Sequence, residues 1–235
     1  MARKKEADKL LGPDAFQEGG APWVAWLEKN VRLVLLALGT ILVGIVGFQM
    51  AGSSSARSAS EVTAALGDAL ESYQRVSSPQ FASTATSTQM LKQAYGDAQN
   101  ELRRFRSEHS DRGAARLALL YEADLAARQE AYRSAADLYG AYLDSAVSND
   151  PLRFIALEGQ GYAYESLGEY SEALRVFELL AEIPFAQAYA LKHQARVLEA
   201  DGQVEEARSR LQLLLETEPS LFLQNYAENR LKLLR

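Results

Sequence analysis

Residues 151–184 decide the fold, and they read PLRFIALEGQGYAYESLGEYSEALRVFELLAEIP. Small residues, aromatic residues and a central glycine fall there at the positions where two antiparallel helices need them. The pattern returns further along the chain, where Gly202 takes the place of the turn glycine Gly168. A period of about 34 residues predicts stacked helix–turn–helix units. The other pairs with the same separation are Leu157 and Leu191, Gly161 and Ala195, Ala173 and Ala207, and Phe177 and Leu211.

The composition argues against several classes of function. The net charge of −6 disfavours a dedicated nucleic-acid binder, which normally carries a basic face. No cysteine is present, which excludes disulfides, thiolate metal sites and thiol catalysis. With only His109 and His193, a histidine-based metal or catalytic site is disfavoured. No phosphate-binding glycine loop or nucleophile–base arrangement occurs, so we expect neither a cofactor nor enzymatic activity.

An uncharged apolar run begins at Leu33, and we predict a single transmembrane helix over 33–52. As a helix of about 20 residues, it would span roughly 30 Å, the thickness of the hydrocarbon layer. Six Lys or Arg residues precede the run, whereas the stretch that follows it has only Arg57 before Arg75. The positive-inside rule therefore predicts a cytoplasmic tail, residues 1–32, and a periplasmic domain after the membrane helix.

Two other interpretations of the apolar run are a cleaved signal peptide and a buried soluble helix. A cleaved signal peptide has a shorter leading segment and a shorter apolar run, although small residues after Met50 leave a cleavage site open. A buried soluble helix is disfavoured, because nothing polar interrupts the circumference. Small residues form a strip on one face, where a second transmembrane helix could pack closely; such residues are also common in membrane helices generally. The strip consists of Ala37, Thr40, Gly44, Gly47 and Ala51.

The exported part divides into a divergent helical hairpin (53–111), three repeats (112–219) and a C-terminal capping helix (220–235). Thr86 with Gln89 is a candidate cap for the second helix, and Asp150 before Pro151 predicts the start of another. The predicted helices span 59–76, 88–108, 112–128, 131–147, 152–167, 170–182, 186–201 and 204–217, followed by an amphipathic last stretch.

The repeats resemble the tetratricopeptide repeat. The matching residues in the most regular copy are Leu157, Gly161, Tyr164, Gly168, Tyr170, Ala173 and Phe177, with Pro184 one position early. The preceding copy fits less well, since Glu130 replaces the turn glycine and the step from Ala135 to Ala173 is longer than the period. A four-residue insertion ahead of Pro151 accounts for that offset. The resemblance implies a tetratricopeptide-like α-solenoid of stacked hairpins. Together with the transmembrane helix predicted from the apolar run, it gives an all-α fold.

A narrower resemblance covers almost the whole chain. A short cytoplasmic tail, the WLEKN turn at 26–30, one membrane helix, the SARSAS stretch at 55–60 and degenerate repeats resemble the ancillary SecYEG translocon subunit family. That resemblance implies a bacterial inner-membrane protein with a periplasmic tetratricopeptide-like domain. It also implies the SecYEG translocon and periplasmic chaperones as partners.

Stacked repeats form a concave surface lined by the first helix of each pair, which suits extended partner segments. Tyr side chains mixed with both charge signs favour a protein partner; alternatively, Tyr162 and Tyr189 pack between repeats and the charges are solvated. His193 is expected at the surface or in packing, and Arg103, Arg104 and Arg106 on a solvated helix face. The groove residues predicted from the repeat pattern are Leu120, Asp124, Arg128, Glu158, Tyr162, Glu165, Tyr189, Lys192 and Arg196.

These observations favour a membrane-tethered interaction module that helps newly exported proteins or chaperones meet the translocon. An assembly scaffold for another cell-envelope complex, using the same groove, is the alternative.

Overall fold

A computed structural model describes residues 56–78, 80–81, 87–110, 113–147 and 149–234. The chain divides near residue 59 into two units, and the account below concerns the second, residues 60–235. The predicted tail (1–32), the transmembrane segment (33–52) and its strip of small residues lie outside the described residues. Among the helices that are described, none is both long enough and apolar enough to span a bilayer.

The described residues fold entirely into helices and turns, with no strand. Nine α-helices of 12 or more residues follow one another, and a short 3₁₀ turn, Pro184–Ala186, precedes the seventh. They are α1 (Ala56–Ser77), α2 (Thr88–Glu108), α3 (Gly113–Arg128), α4 (Tyr132–Ser145), α5 (Arg153–Ser166), α6 (Tyr170–Ala181), α7 (Gln187–Ala200), α8 (Val204–Glu216) and α9 (Leu221–Leu233).

From α2 onward, each helix packs against its neighbours in the chain. In addition, α5 contacts α3 and α9 contacts α7. We call α1, α3, α5, α7 and α9 the A helices, and α2, α4, α6 and α8 the B helices. Alternation of this kind, with A helices side by side, is consistent with a helical solenoid.

The core lies between the A and B helices of successive pairs. Phe177, Leu180, Leu211 and Leu214 are completely buried there, whereas Tyr164 of the repeat signature is only partly buried. A β-carbon added to Gly161 would lie 2.4 Å from the Phe177 ring. The small residue therefore makes room for an aromatic side chain.

The turns between A and B helices share one geometry. The residues at the helix ends, Glu130, Gly168 and Gly202, have φ of 64°, 73° and 78°. In each turn the next residue donates its N–H to a carbonyl five positions back: Ala131 to Ala126, Glu169 to Tyr164 and Gln203 to Leu198, at 2.8–2.9 Å. These are Schellman caps. The two turn glycines adopt the left-handed conformation that such caps use, and Glu130 adopts it as well.

Two predicted N-terminal caps were wrong, although α2 begins at Thr88 as predicted. Ser87, and not Thr86, caps α2, since its side chain accepts the N–H of Met90. Asp150 does not begin α5, which starts at Arg153. Its carboxylate instead accepts the N–H of Leu152 and the hydroxyl of Tyr142, so the chain turns once more before the helix begins.

The four-residue offset between the first two repeats has two sources. Helix α4 has 14 residues where α6 has 12. The linker 146–152 also has two more residues than the linker 182–186.

Helix α9 packs on α7 and α8 as an A helix does, but its outer face is polar. Leu191, Ala195 and Leu198 of α7 are buried where α8 covers them. The residues at the equivalent positions one repeat later are Asn225, Asn229 and Lys232, and all three are exposed. This substitution suits α9 to close the array.

Candidate functional site on the A helices

The nine predicted groove residues lie on α3, α5 and α7, which are all A helices. Leu120 is the one predicted groove residue that is buried. Only 5% of it is exposed, so it belongs to the core of α3 and offers no surface to a partner. The other eight are at least partly accessible.

On α3, Asp124 connects two A helices. Its carboxylate accepts the hydroxyl of Tyr73 from α1 at 3.0 Å and the Nε–H of Arg128 at 2.6 Å. The Tyr73 ring meets that of Tyr121 edge-on, with centroids 4.7 Å apart. Burial and the nearby Asp124 carboxylate together raise the pKa of Tyr73 well above its ordinary value. Asp124 and Arg128 therefore help to hold α1 against α3.

Between α5 and α7, His193 lies at the centre of a polar cluster. Glu158 Oε1 is 3.2 Å from its Nε2, and the Tyr162 hydroxyl is 3.4 Å from its Nδ1. Its ring stacks on Phe177 at 5.0 Å. Only 1% of His193 is exposed, so packing was the correct interpretation and a surface position was wrong. Burial lowers the pKa of His193 despite the opposing effect of Glu158, which favours a neutral imidazole at pH 7.

Beside this cluster, Arg196 of α7 forms a bidentate ion pair with Glu165 of α5. Its Nε donates to Oε1 at 2.7 Å, and its Nη2 pairs with Oε2. The guanidinium carbon also lies 4.5 Å from the Tyr162 ring centroid, within cation–π range. Burial by itself would lower the pKa of Arg196, but the bonds to Glu165 and the contact with Tyr162 raise it overall.

The same ion pair recurs one repeat later. Glu199 and Arg230 occupy the positions equivalent to Glu165 and Arg196, and Arg230 Nε donates to Glu199 at 2.6 Å. Helix α9 therefore docks on α7 much as α7 docks on α5. Lys192 strengthens this junction, because its ammonium lies 5.6 Å from the Phe222 ring and 5.4 Å from that of Tyr226. Tyr189 meets Phe154 of α5 edge-on at 6.5 Å.

The sequence-based list omitted His193, Glu199, Arg230 and Tyr226 from this face. The repeat period carried a signal for Glu199 and Arg230, since each repeats a residue type already on the list. His193 had no such signal, because the equivalent position one repeat later is Ala227.

The arginines of α2 do more than solvate a helix face. Glu122 of α3 is completely buried, and it accepts two hydrogen bonds from Arg106, at 2.7 and 3.2 Å. Arg103 lies 3.9 Å from the same carboxylate. Only Arg104, which pairs with Glu108 at the surface, fits the solvated interpretation.

The A helices thus present a face of alternating acids, bases and aromatic rings, in which side chains of adjacent repeats touch. Glu158 and Glu165 are 16% and 19% exposed at the side chain, and Arg196 is 32% exposed. Their outer atoms can accept or donate further hydrogen bonds, since a carboxylate has about four acceptor sites and a guanidinium five donors. The face is ordered by its own contacts, which lowers the entropic cost of binding a partner there.

No family model matches this chain, and searches of curated proteins and of solved structures found no match.

Proposed function

We propose that this protein is a single-pass, membrane-anchored interaction module on the periplasmic side of the bacterial inner membrane. Its tetratricopeptide-like array would hold newly exported proteins or periplasmic chaperones close to the SecYEG translocon. The apolar run 33–52 and the excess of Lys and Arg before it support the anchor and its direction. The proposed role is non-enzymatic.

One observation carries the proposal. The A helices lie side by side, and their polar and aromatic side chains pair at the same repeat positions, as Glu165–Arg196 and Glu199–Arg230 do. A partner segment lying across these helices would meet ordered groups of both charge signs at each step. Such a face suits peptide recognition better than the binding of a single anion.

In the membrane, the strip Ala37, Thr40, Gly44, Gly47 and Ala51 would let the anchor pack against a helix of the translocon. This contact would place the array beside the exit of the channel.

The test is affinity purification of the full chain from mildly solubilised membranes, with identification of the proteins that come with it. We expect SecYEG subunits and periplasmic chaperones in the eluate. Reversing the charges of the A-face pair, Glu165→Arg with Arg196→Glu, should reduce their recovery while keeping an ion pair in place. The matched control is the same reversal in the exposed α6 pair, Glu172→Arg with Arg175→Glu.

An eluate without SecYEG subunits and chaperones would refute the proposal. Co-purification of a different envelope complex, lost in the A-face variant alone, would support the assembly scaffold instead. Equal losses in both variants would show that the A face is not the binding surface.

A further inference from the structure

The linkers that follow the B helices lie together at one end of the stack. Phe154, near the start of α5, contacts Phe185 in the next such linker, with ring centroids 5.5 Å apart. At the far end of the same helices, Glu165 pairs with Arg196. Helices α5 and α7 are therefore parallel.

The starts of the other A helices lie at the same end. Arg116, near the start of α3, donates to the carbonyl of Ser145 at the end of α4. Lys192 of α7 lies over Phe222 at the start of α9. The N-terminal ends of α3, α5, α7 and α9 therefore form one edge. We call it the B–A edge and define it as residues 144–152, 182–187 and 216–222.

This edge exposes large apolar side chains, with at least one in each of the three segments. Val147 is 60% exposed, Phe185 70%, and Leu221 71%, with Phe222 at 49%. Eight large apolar residues are exposed in the described part of the chain, and these are four of them. Single exposed apolar residues are ordinary, but a row that recurs along one edge marks an interaction surface.

The row has at least one member in each segment, close to the start of the next A helix. Val147 stands six residues before α5, Phe185 stands two residues before α7, and Leu221 is the first residue of α9. Phe185 stands at the middle of the 3₁₀ turn, where Pro184 precedes it and Ala186 fills the core. Its ring therefore remains outside, supported from below by Phe154.

The exposed charges of these three segments are negative, and two cations that reach the edge are already engaged: Arg116 pairs with Asp150, and Lys192 lies over the Phe222 ring. The exposed charged side chains in the described residues of these three segments are Asp144, Glu182, Glu216 and Glu218. An apolar row beside carboxylates is complementary to a segment that carries an apolar stripe with Lys or Arg on its flanks. An anionic lipid surface would be repelled by the same carboxylates.

We propose that the B–A edge docks a basic amphipathic helix of a partner protein, whose apolar stripe covers Val147, Phe185 and Leu221. This surface is separate from the A-helix face on which the proposed function rests, so either can fail without the other.

The test uses the full chain in phosphatidylcholine nanodiscs. Because the chain has no cysteine, Gln187→Cys provides a single site on the edge for an environment-sensitive dye, and Gln93→Cys on α2 provides a reference site. The probe is a helical peptide of Leu and Lys with an apolar stripe. Its controls are a scrambled peptide of the same composition and a Leu/Glu peptide with the same stripe. We expect a saturable signal at 187 with the Leu/Lys peptide only.

Variants then identify the surface. Phe185→Ser with Leu221→Ser should weaken the peptide affinity by about tenfold or more, since two buried anchors are lost. The matched control, Met90→Ser with Leu233→Ser, removes two apolar residues exposed outside the edge and should change the affinity by less than about twofold. Glu182→Gln with Glu216→Gln should weaken binding by about threefold at low salt and less at high salt. Glu101→Gln with Glu206→Gln is the control for charge.

Several results would overturn the proposal. Equal binding of the scrambled or the Leu/Glu peptide would show that stripe or charge is not recognised. Equal weakening by the two serine pairs would place binding elsewhere. A dye at 187 that is blue-shifted before any peptide is added, and loses that shift when the nanodiscs are exchanged for detergent, would assign the edge to lipid.

Discussion

Each of the three repeats holds a buried polar side chain at the same position of its A helix, but the first repeat does so with different chemistry from the other two. We call the repeats around α3, α5 and α7 the first, middle and third unit. Positions 122, 160 and 194 are equivalent in the three successive repeats, and all three are buried. Gln160 donates to the carbonyl of Ala136 and Gln194 to that of Phe177, each on the preceding B helix. Glu122 accepts from Arg106 on its preceding B helix instead.

The comparison indicates what the position demands. A buried polar group must tie each A helix to the B helix before it, because a buried polar group without a partner is costly. A neutral amide does this with one hydrogen bond to the backbone. A carboxylate requires a cation, so the first unit depends on a second side chain that the later units do not need.

The largest expected effect comes from breaking that dependence. Arg106→Ala would leave the carboxylate of Glu122 buried, with Arg103 at 3.9 Å as its remaining cation. We expect a loss of about 3 kcal/mol in the free energy of unfolding, the lower end for a broken buried pair, because Arg106 is one-third exposed. Urea unfolding of the full chain, followed by circular dichroism, measures it. Arg104→Ala, at an exposed pair, should change stability by less than about 0.5 kcal/mol.

Glu122→Gln sharpens this prediction. In the Arg106→Ala background it should recover about half of the loss or more, since the amide can donate to a carbonyl of α2 as Gln160 does to α4. A double variant no more stable than Arg106→Ala would show that position 122 requires a charge.

The second largest effect concerns close packing in the middle unit. The equivalent pairs in the three units are Ala123 with Tyr139, Gly161 with Phe177, and Ala195 with Leu211. Gly161→Ala should cost about 1–3 kcal/mol, because the new β-carbon would lie 2.4 Å from the Phe177 ring. Adding Phe177→Leu, which copies the third unit, should restore part of the loss.

Gly67→Ala on α1 is the matched control for Gly161→Ala. No atom lies within 4 Å of the added β-carbon, so this variant should gain up to about 1 kcal/mol from helix propensity. A Gly161→Ala variant as stable as the parent would contradict the packing argument.

How far the sequence predicts this structure depends on whether a feature repeats. Gly168, Ala173, Phe177 and their equivalents in the next repeat fix helix pairs, turns and core, and the structure confirms the buried positions and the turn geometry. Helix caps were less secure: Asp150 has the sequence pattern of a cap, but its carboxylate also bonds Tyr142 from the preceding helix. Only tertiary contact reveals that competition.

Side chains that change from repeat to repeat could not be placed. Glu122 lies among alanines and leucines on α3, and no spacing within the sequence pairs it with Arg106 on the helix before. His193 gave the same difficulty, since its contacts come from the two preceding helices, α5 and α6. All nine predicted groove residues lie on A helices, because the repeat pattern gives their positions along each helix. The same pattern does not show how deeply a side chain is buried, and so the prediction included Leu120.

The third prediction is that the contact between the A helices α5 and α7 makes the stability of the protein depend on pH. His193, between α5 and α7, faces Glu158 and Tyr162 from α5, Phe177 from α6, and Lys192 and Arg196 on its own helix. Since burial lowers its pKa in the folded state, the unfolded state binds the proton more readily. Stability conferred by neutral His193 is therefore complete at neutral pH and is lost as the pH falls below about 6.5, its unfolded value.

The free energy of unfolding can fall by up to about 1.4 kcal/mol for each pH unit, the limit for one proton. His193→Gln should remove this pH dependence. The measurement is urea unfolding at a series of pH values, taken as the difference between variant and parent so that carboxylate titration cancels. Identical profiles for parent and His193→Gln would contradict a neutral buried imidazole.

The smallest expected effect tests the turns. Glu130 holds φ at 64°, a left-handed conformation that glycine adopts at Gly168 and Gly202 and that costs other residues about 1–2 kcal/mol. Glu130→Gly should therefore stabilise the first unit by about 0.5–1 kcal/mol, after the greater flexibility of glycine in the unfolded chain is subtracted.

Glu130→Ala is the matched control, because it loses the exposed ion pair with Lys92 but keeps the strain, and it should change stability by less than about 0.5 kcal/mol. The reciprocal variant, Gly168→Ala, should lose about 1 kcal/mol by acquiring the strain that Glu130 carries. Equal gains from Glu130→Gly and Glu130→Ala would show that charge, and not backbone conformation, distinguishes the first turn from the other two.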